Sequence, residues 1–401
     1  MLSVTDARSL IVGAVQPLAP CPLSLAEALD AALAVDVESP LNLPLWDNSA
    51  MDGYAVRSAD IAGATENNPI HLRVLTTIAA GAAATAPLEA QGCVRIFTGA
   101  PIPAGADAVV MQEDTRPHHA GYIAVVESVE PGENIRRTGE DVALGSTVLR
   151  AGTVLGPAQL ALAAALGLPQ LTAYPRPRVG VLVTGAEVVE PGRPLQAGQI
   201  YDSNSVMLTA LLQRAGCANM DLGIADDTVE ALHEKIEYGL SECDALITVG
   251  GVSVGEYDLV KDVLRELGCE QNFWKVAMKP GKPFVFGTRG PKPVFGLPGN
   301  PVSAFVTFLL LVRPGLQRLR GCANLELPTV EAEAAVDLVN RGERPHFMRG
   351  RLERRDGRLL VTPLSRQGSH VISSLSDADC LVEVPACRTL TKGSPVKAIV
   401  I

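Results

Sequence analysis

From residue 178 to about 312, short apolar runs alternate with amphipathic ones. Residues 179–184, 219–224, 245–249, 274–278, 284–287 and 294–297 read as strands. Ser203 stands where a cap would open a helix to about Arg214, with Gly216 as its stop. A second helix ends near Leu240, a third runs from about Asp258 to Leu267, and residues 302–311 are apolar on every side. Strands alternating with helices predict an α/β domain with a mostly parallel sheet over 173–325.

The flanks follow other periods. Residues 1–45 and 142–172 have helical spacing and are expected to form one helical domain. Ser24 and Glu27 have capping-box spacing before an apolar run, and Pro157 opens a run that Gly167 closes. Between them, residues 46–141 carry short β-type runs at 71–78, 108–112 and 122–129, separated by Gly- and Pro-rich turns. These predict a β-rich insert. Residues 174–177 (Tyr-Pro-Arg-Pro) read as a linker. After about residue 325 helical periodicity stops. Strands are expected at 346–353, 358–363, 381–384 and 396–401, with Asp356-Gly357 as a hairpin turn. Residues 326–401 therefore predict a β-barrel or sandwich.

Composition narrows the function. The 401 residues are 47% hydrophobic, enough for large cores, but only 4% aromatic. The net charge of -10 and the scarcity of aromatics argue against a nucleic-acid binder. The apolar runs 160–168 and 304–312 are shorter than the roughly 18–20 residues of a membrane span, so no membrane partner is expected. No basic region followed by an apolar one stands near Met1, so no signal peptide is expected. The eight cysteines form no CxxC and no zinc spacing, which suggests reduced thiols in a cytoplasmic protein.

Open parallel α/β sheets bind ligands beyond the carboxyl ends of their strands. Five unusual loops follow the predicted strands. The first is Thr184-Gly-Ala-Glu187. The second holds Asp226-Asp227. The third runs from Gly250-Gly251 through Ser253 to Asp258. The fourth holds Lys279-Pro-Gly-Lys282, and the fifth runs Pro298-Gly-Asn300-Pro301-Val-Ser303. Glycines let a backbone approach an anion, and a lone Gly-rich turn is as often only a turn. Asp226 and Asp258 suit a hard divalent cation on a phosphate, or plain helix caps. Lys279 and Lys282 on a stiff bend suit a dianion. Pro298–Pro301 would open a helix N-terminus toward an anion. In the insert, Asp52 and Thr98 stand in unusual turn-rich contexts. Residues 341–370 hold eight arginines against three carboxylates, mostly expected on a solvated β-face, although Arg349 and the serines near 373 suit an oxyanion.

Together, residues 48–56, 95–112, 184–187, 250–258, 279–283, 298–303 and 367–374 resemble the molybdopterin molybdenumtransferase family, which includes the bacterial MoeA proteins and the gephyrin E domain. The resemblance runs from about residue 40 to the end, in the family's order. It implies a helical domain with a β-rich insert, a molybdopterin-binding-type three-layer α/β domain and a C-terminal β-barrel. It implies a homodimer that inserts molybdate into adenylylated molybdopterin, with Mg²⁺ assisting and AMP released. By motif, Asp226 and Asp258 would hold the cation and phosphates, with Glu187 in support. Gly250, Gly251, Ser253, Pro298, Asn300 and Pro301 would line the pterin site. Lys279 and Lys282 would meet molybdate, with Ser303, Arg349 and Ser373. Asp52, Thr98 and Asp141 would come from the partner's insert. Ala186 departs from the polar residue that many relatives carry there. The implied partners are an adenylyltransferase upstream and molybdoenzymes or their chaperones downstream.

Two alternatives are a molybdopterin adenylyltransferase and a non-catalytic dimeric scaffold or cofactor carrier. The first normally lacks the insert and the barrel, both of which are expected here. The second predicts loss of the charged loop residues, yet Asp226, Asp258, Lys279 and Lys282 are all present.

Overall fold

The structure, a computed structural model, describes residues 1–82, 87–251 and 259–401. Two compact units divide the chain. One holds Met1–Val35, Ala151–Leu160 and Pro169–Ile401, and the other Asp36–Arg150 and Ala161–Leu168.

In the larger unit a six-stranded sheet is built from β1 (Arg178–Thr184), β2 (Ala218–Ala225), β3 (Ala245–Val249), β4 (Glu270–Trp274), β5 (Val285–Arg289) and β6 (Lys292–Leu297), in the order β2-β1-β3-β6-β5-β4. The first four in that order run parallel, and β5 and β4 complete the sheet antiparallel. Apolar residues alternate between the two faces. Val179, Val181 and Val183 of β1 enter one core, while Leu182 enters the other. Helix α1 (Asn204–Arg214) adds Leu208, Leu211 and Leu212 to the first core. Helices α2 (Val229–Glu242) and α3 (Leu259–Glu266) cover the opposite face with Leu232, Ile236, Val260 and Val263. A sheet covered on both faces explains the near-continuous apolar runs of its parallel strands.

The all-apolar run is the core helix α4, which spans Pro301–Leu319 and passes through a π-helical turn at Phe308–Val312. By length and composition it is long enough to cross a membrane, but 83% of its apolar window is buried inside the protein. The helix Val4–Ala14, capped by Ser3, lays Ala7 and Ile11 into the same core. Beyond α4, Thr329–Ala334, His346–Arg355, Arg358–Pro363, Cys380–Val384 and Pro395–Val400 close a five-stranded barrel around Met348, Val361 and Val382. Asp356 and Gly357, both at positive φ, make the expected two-residue hairpin turn.

The smaller unit is built on a second six-stranded sheet. Its strands lie in the order Ala108–Met111, Gly53–Val56, Gly92–Ile96, Ile70–Ile78, Tyr122–Val125, Thr115–Pro117. At Gly53 a Cβ would stand 1.9 Å from the Val110 carbonyl oxygen, so only glycine lets these strands meet.

Three local expectations are corrected. The Ser24–Glu27 capping-box bonds form, but the chain beyond closes as turns rather than an α-helix. Its backbone is taken up elsewhere: Asp30 and Leu33 donate to Leu155 and Thr153. The fourth strand ends at Trp274 instead of beginning there, because Lys275 turns to positive φ and Val276 leaves the sheet to bridge Leu2. Asp202, not Ser203, caps α1, its Oδ1 accepting from the amides of Asn204 and Ser205.

Candidate active site

A cavity of about 770 Å³ opens beyond the carboxyl ends of β1, β3 and β6. Its wall gathers Thr184, Gly185 and Glu187 after β1, Asp227 after β2, Gly250 and Gly251 after β3, and Pro298–Pro301 after β6. Four of the five predicted loops thus meet. The lysine loop, fourth in the sequence order, contributes only the adjoining Pro283.

Local chemistry explains the loops. Gly250 and Gly251 both hold positive φ, and a Cβ at Gly250 would stand 2.7 Å from the Thr184 carbonyl oxygen. The Gly250 amide donates to Leu297, tying the β3 loop to β6. The carboxylates of Glu187, Asp226 and Asp227 stand in exposed residues. Among the described residues the Asp226 side chain caps no helix. Thr228 is the cap of α2, its hydroxyl accepting from the Ala231 amide at 3.3 Å. Ser253 and Asp258 lie outside the described residues. Among the described residues no three His, Cys, Asp or Glu side chains gather as a metal cluster.

Asp202 and Asn204 are among the wall residues that sequence reasoning missed. Asp202 is buried and fully engaged by Asn204 and Ser205. The side-chain amide of Asn204 donates to the Gly299 carbonyl at 2.8 Å, tying α1 to the start of α4. Only the Asp-Ser-Asn string after a short strand hinted at them.

The cationic candidates gather where the barrel meets α4. The Lys279 amide donates to Pro345, and Lys279 accepts from the Phe347 amide, so the lysine loop is laced to the strand that carries Arg349. Lys279 is exposed and Lys282 half-buried. Arg349 is fully buried. Its Nη2 donates to the carbonyls of Arg366 and Gly368, while Nε and Nη1 have no partner among the described residues. The Val302 amide reaches the Ser369 carbonyl at 3.3 Å, which brings the 367–374 loop to the start of α4. Ser303 is buried in the first turn of α4. Ser373 is exposed and lines a separate shallow hollow with Arg366 and His370. The neighbouring Ser374 is spent on the Val371 carbonyl.

In the smaller unit Asp52 and Thr98 form one constellation. The Thr98 amide and hydroxyl both donate to Asp52 Oδ1 at 2.8 Å. Those two bonds, with Arg95 nearby, hold the Asp52 carboxyl below its ordinary range. Asp141 lies apart from that pair, beside Leu43, Pro44, Arg136 and Glu140.

Three family models match the chain in order. They are the MoeA N-terminal region (domain I and II) over residues 2–167, a probable molybdopterin binding domain over 180–318, and the MoeA C-terminal region (domain IV) over 331–401. The molybdopterin molybdenumtransferase of Haemophilus influenzae is 41% identical over 385 residues, 95% of this chain and 94% of that one. Molybdopterin molybdenumtransferase 2 of Mycobacterium tuberculosis is 40% identical over 392 residues, 96% of each. The crystal structure of a molybdopterin biosynthesis MoeA protein from Pyrococcus horikoshii, 30% identical, superposes with a TM-score of 0.84 over the whole of both chains. On this agreement of sequence and fold along nearly its full length, the chain belongs to the molybdopterin molybdenumtransferase (MoeA) family.

Proposed function

We propose that this protein inserts molybdenum from molybdate into adenylylated molybdopterin and releases AMP. The observation that carries the reading is the juxtaposition at the start of α4. An acceptor-lined cavity lies on one side of it, and a buried, half-unpaired arginine with two lysines lies on the other. The reaction brings two anions together, and fixed cations and a helix N-terminus offset their repulsion.

In this reading the pterin lies along Gly250, Gly251, Pro298, Asn300 and Pro301, with Ser253 of the adjoining loop. Lys279, Lys282, Ser303, Arg349 and Ser373 receive molybdate. Arg349 suits that role by its surroundings, since a buried guanidinium whose Nε and Nη1 have no partner among the described residues is costly until an anion reaches it. The pyrophosphate bond is hydrolysed and AMP leaves; two Mo–S bonds form as one molybdate oxygen takes the two thiol protons and departs as water. Asp226 and Asp258 would hold Mg²⁺, with Glu187 in support. The exposed Asp226 at the end of β2 suits an ion that takes one or two carboxylates and completes its shell with substrate oxygens and water. When bound, the ion neutralises phosphate charge.

The proposal includes a four-part chain: residues 1–45 with 142–172, then 46–141, 173–325 and 326–401. It also includes a homodimer in which Asp52, Thr98 and Asp141 serve the partner's cavity. An adenylyltransferase supplies the substrate, and molybdoenzymes or their chaperones take the product. Eight free thiols are in keeping with a cytoplasmic setting. The test is AMP release from adenylylated molybdopterin by the pure protein, with and without molybdate and Mg²⁺. Release that depends on both, with molybdenum retained in the pterin, is expected. Tight binding without release would replace the enzyme by a carrier.

A further inference from the structure

Two polar atoms on the cavity wall have no partner among the described residues, Asn204 Oδ1 and Thr184 Oγ1. Their residues are only 9% and 5% exposed. A buried polar atom left unpaired is unfavourable, so two on one wall point to a ligand that completes them.

The surrounding bonds fix what each atom offers. Asn204 Nδ2 donates to the Gly299 carbonyl, which leaves the buried Oδ1 as the unpaired acceptor. The Asn204 amide is engaged by Asp202, which also occupies itself with Ser205. At Thr184, ideal Cβ atoms on Gly250 and Gly251 would stand 2.8 and 3.3 Å from Oγ1. Two successive glycines keep side chains off that hydroxyl. Along the same wall stand Glu187 and Asp227, also acceptors.

We infer that Asn204 and Thr184 read the donor edge of the pterin ring, its 2-amino group and the adjacent ring N–H. This inference rests on the proposed substrate. Phosphate oxygens are acceptors only: the Thr184 hydroxyl could donate to one, but Asn204 Oδ1 needs a donor that phosphate does not offer. Adenine has one amino group flanked by acceptor nitrogens. Among the substrate's parts, the aminopyrimidinone edge alone offers two donors side by side. A site whose buried acceptor is left unpaired by the wrong ligand rejects that ligand strongly. Asn204 and Thr184 are therefore specificity-determining residues for the pterin.

The test uses the full chain and two fluorescent probes, pterin and lumazine, in which oxygen replaces the 2-amino group. The readout is the ratio of their dissociation constants. The wild type is expected to favour pterin by about tenfold or more, and Asn204→Leu to bring the ratio near one. Asn204→Asp, which keeps an acceptor, should retain the preference. Thr184→Val removes the hydroxyl at nearly constant shape and should lower the ratio about threefold to tenfold, which decides the matter if the Leu variant fails to fold. A wild type without preference, or folded Leu and Val variants with the wild-type ratio, would overturn the inference. Parallel AMP-release assays separate the two readings. Molybdate-dependent release with an unchanged ratio in the variants rejects the subsite alone. A ratio lost in the variants, with no release by the wild type, rejects the transfer reaction alone.

Discussion

His346 makes the barrel acid-sensitive, by an amount that follows from its surroundings. It opens the strand His346–Arg355, is 4% exposed, and its Nε2 has no partner among the described residues. Burial first, then the charges of Lys279 and Arg349, push its pKa down to about 4. The unfolded chain takes up this proton near the ordinary value of about 6.5. Between those values the unfolded state binds more protons, so stability rises with pH. The contribution is complete above about pH 6.5 and is lost as pH falls through 4. At pH 5 the linkage relation gives a loss of about 2 kcal/mol, and below pH 4 it levels off near 3 kcal/mol. The assay is urea unfolding, followed by far-UV circular dichroism, of the wild type and His346→Gln at pH 7.5 and 5.0. The substitution lowers stability at neutral pH through lost packing, but that offset cancels in the comparison between pH values. The wild type should lose about 2 kcal/mol more than the variant on acidification. Equal losses in the two proteins would refute the reasoning, because His346 would then be ionising alike in both states.

Three other outcomes are expected. Gly250→Ala places a Cβ 2.7 Å from the Thr184 carbonyl oxygen at a residue with φ +91. It should cost more than about 2 kcal/mol in thermal unfolding and lower AMP release at least about tenfold. Asp52→Asn removes the charge that the Thr98 amide and hydroxyl stabilise. AMP release should fall about 100-fold with little change in melting temperature. In the wild type, any acid limb due to Asp52 should lie below the ordinary carboxylate range, since its pKa is lowered. Lys282→Ala should raise the molybdate concentration for half-maximal AMP release about tenfold without altering the affinity for free pterin, as titrations of each ligand would report.

The strand-to-helix rhythm and the Gly- and Pro-rich loops were legible because they are local. The glycines at 250 and 251 and the proline after Asn300 mark backbone turns wherever they are placed. Local signals misled where a long-range partner outbid them. Ser24 and Glu27 make every bond of a capping box, yet the chain after them turns to pair with residues 153 and 155. Asn204 was only faintly marked, by the Asp-Ser-Asn string, for the converse reason. Its meaning lies in a bond to Gly299, 95 residues away, and no short-range pattern encodes that.

The start of α4 is where those long-range bonds converge, and this explains why its sequence is so stiff. Asn300 and Pro301 line the acceptor-walled cavity, while the next amide, Val302, holds the barrel loop through Ser369. Gly299 is held in turn by Asn204, and Leu297 by Gly250. One loop of a few residues therefore fixes the α/β cavity and the Arg349 loop to a common reference. The two prolines, Pro298 and Pro301, restrict its backbone, and the buried body of α4 behind it cannot shift without opening the main core. A dithiolene sulfur and the molybdenum atom of molybdate have to approach within bonding distance, and misplacement by an ångström is costly to rate. On this argument the rigidity of residues 298–302 serves the alignment of two separately held anions, and the fold places its most constrained backbone where that alignment is set.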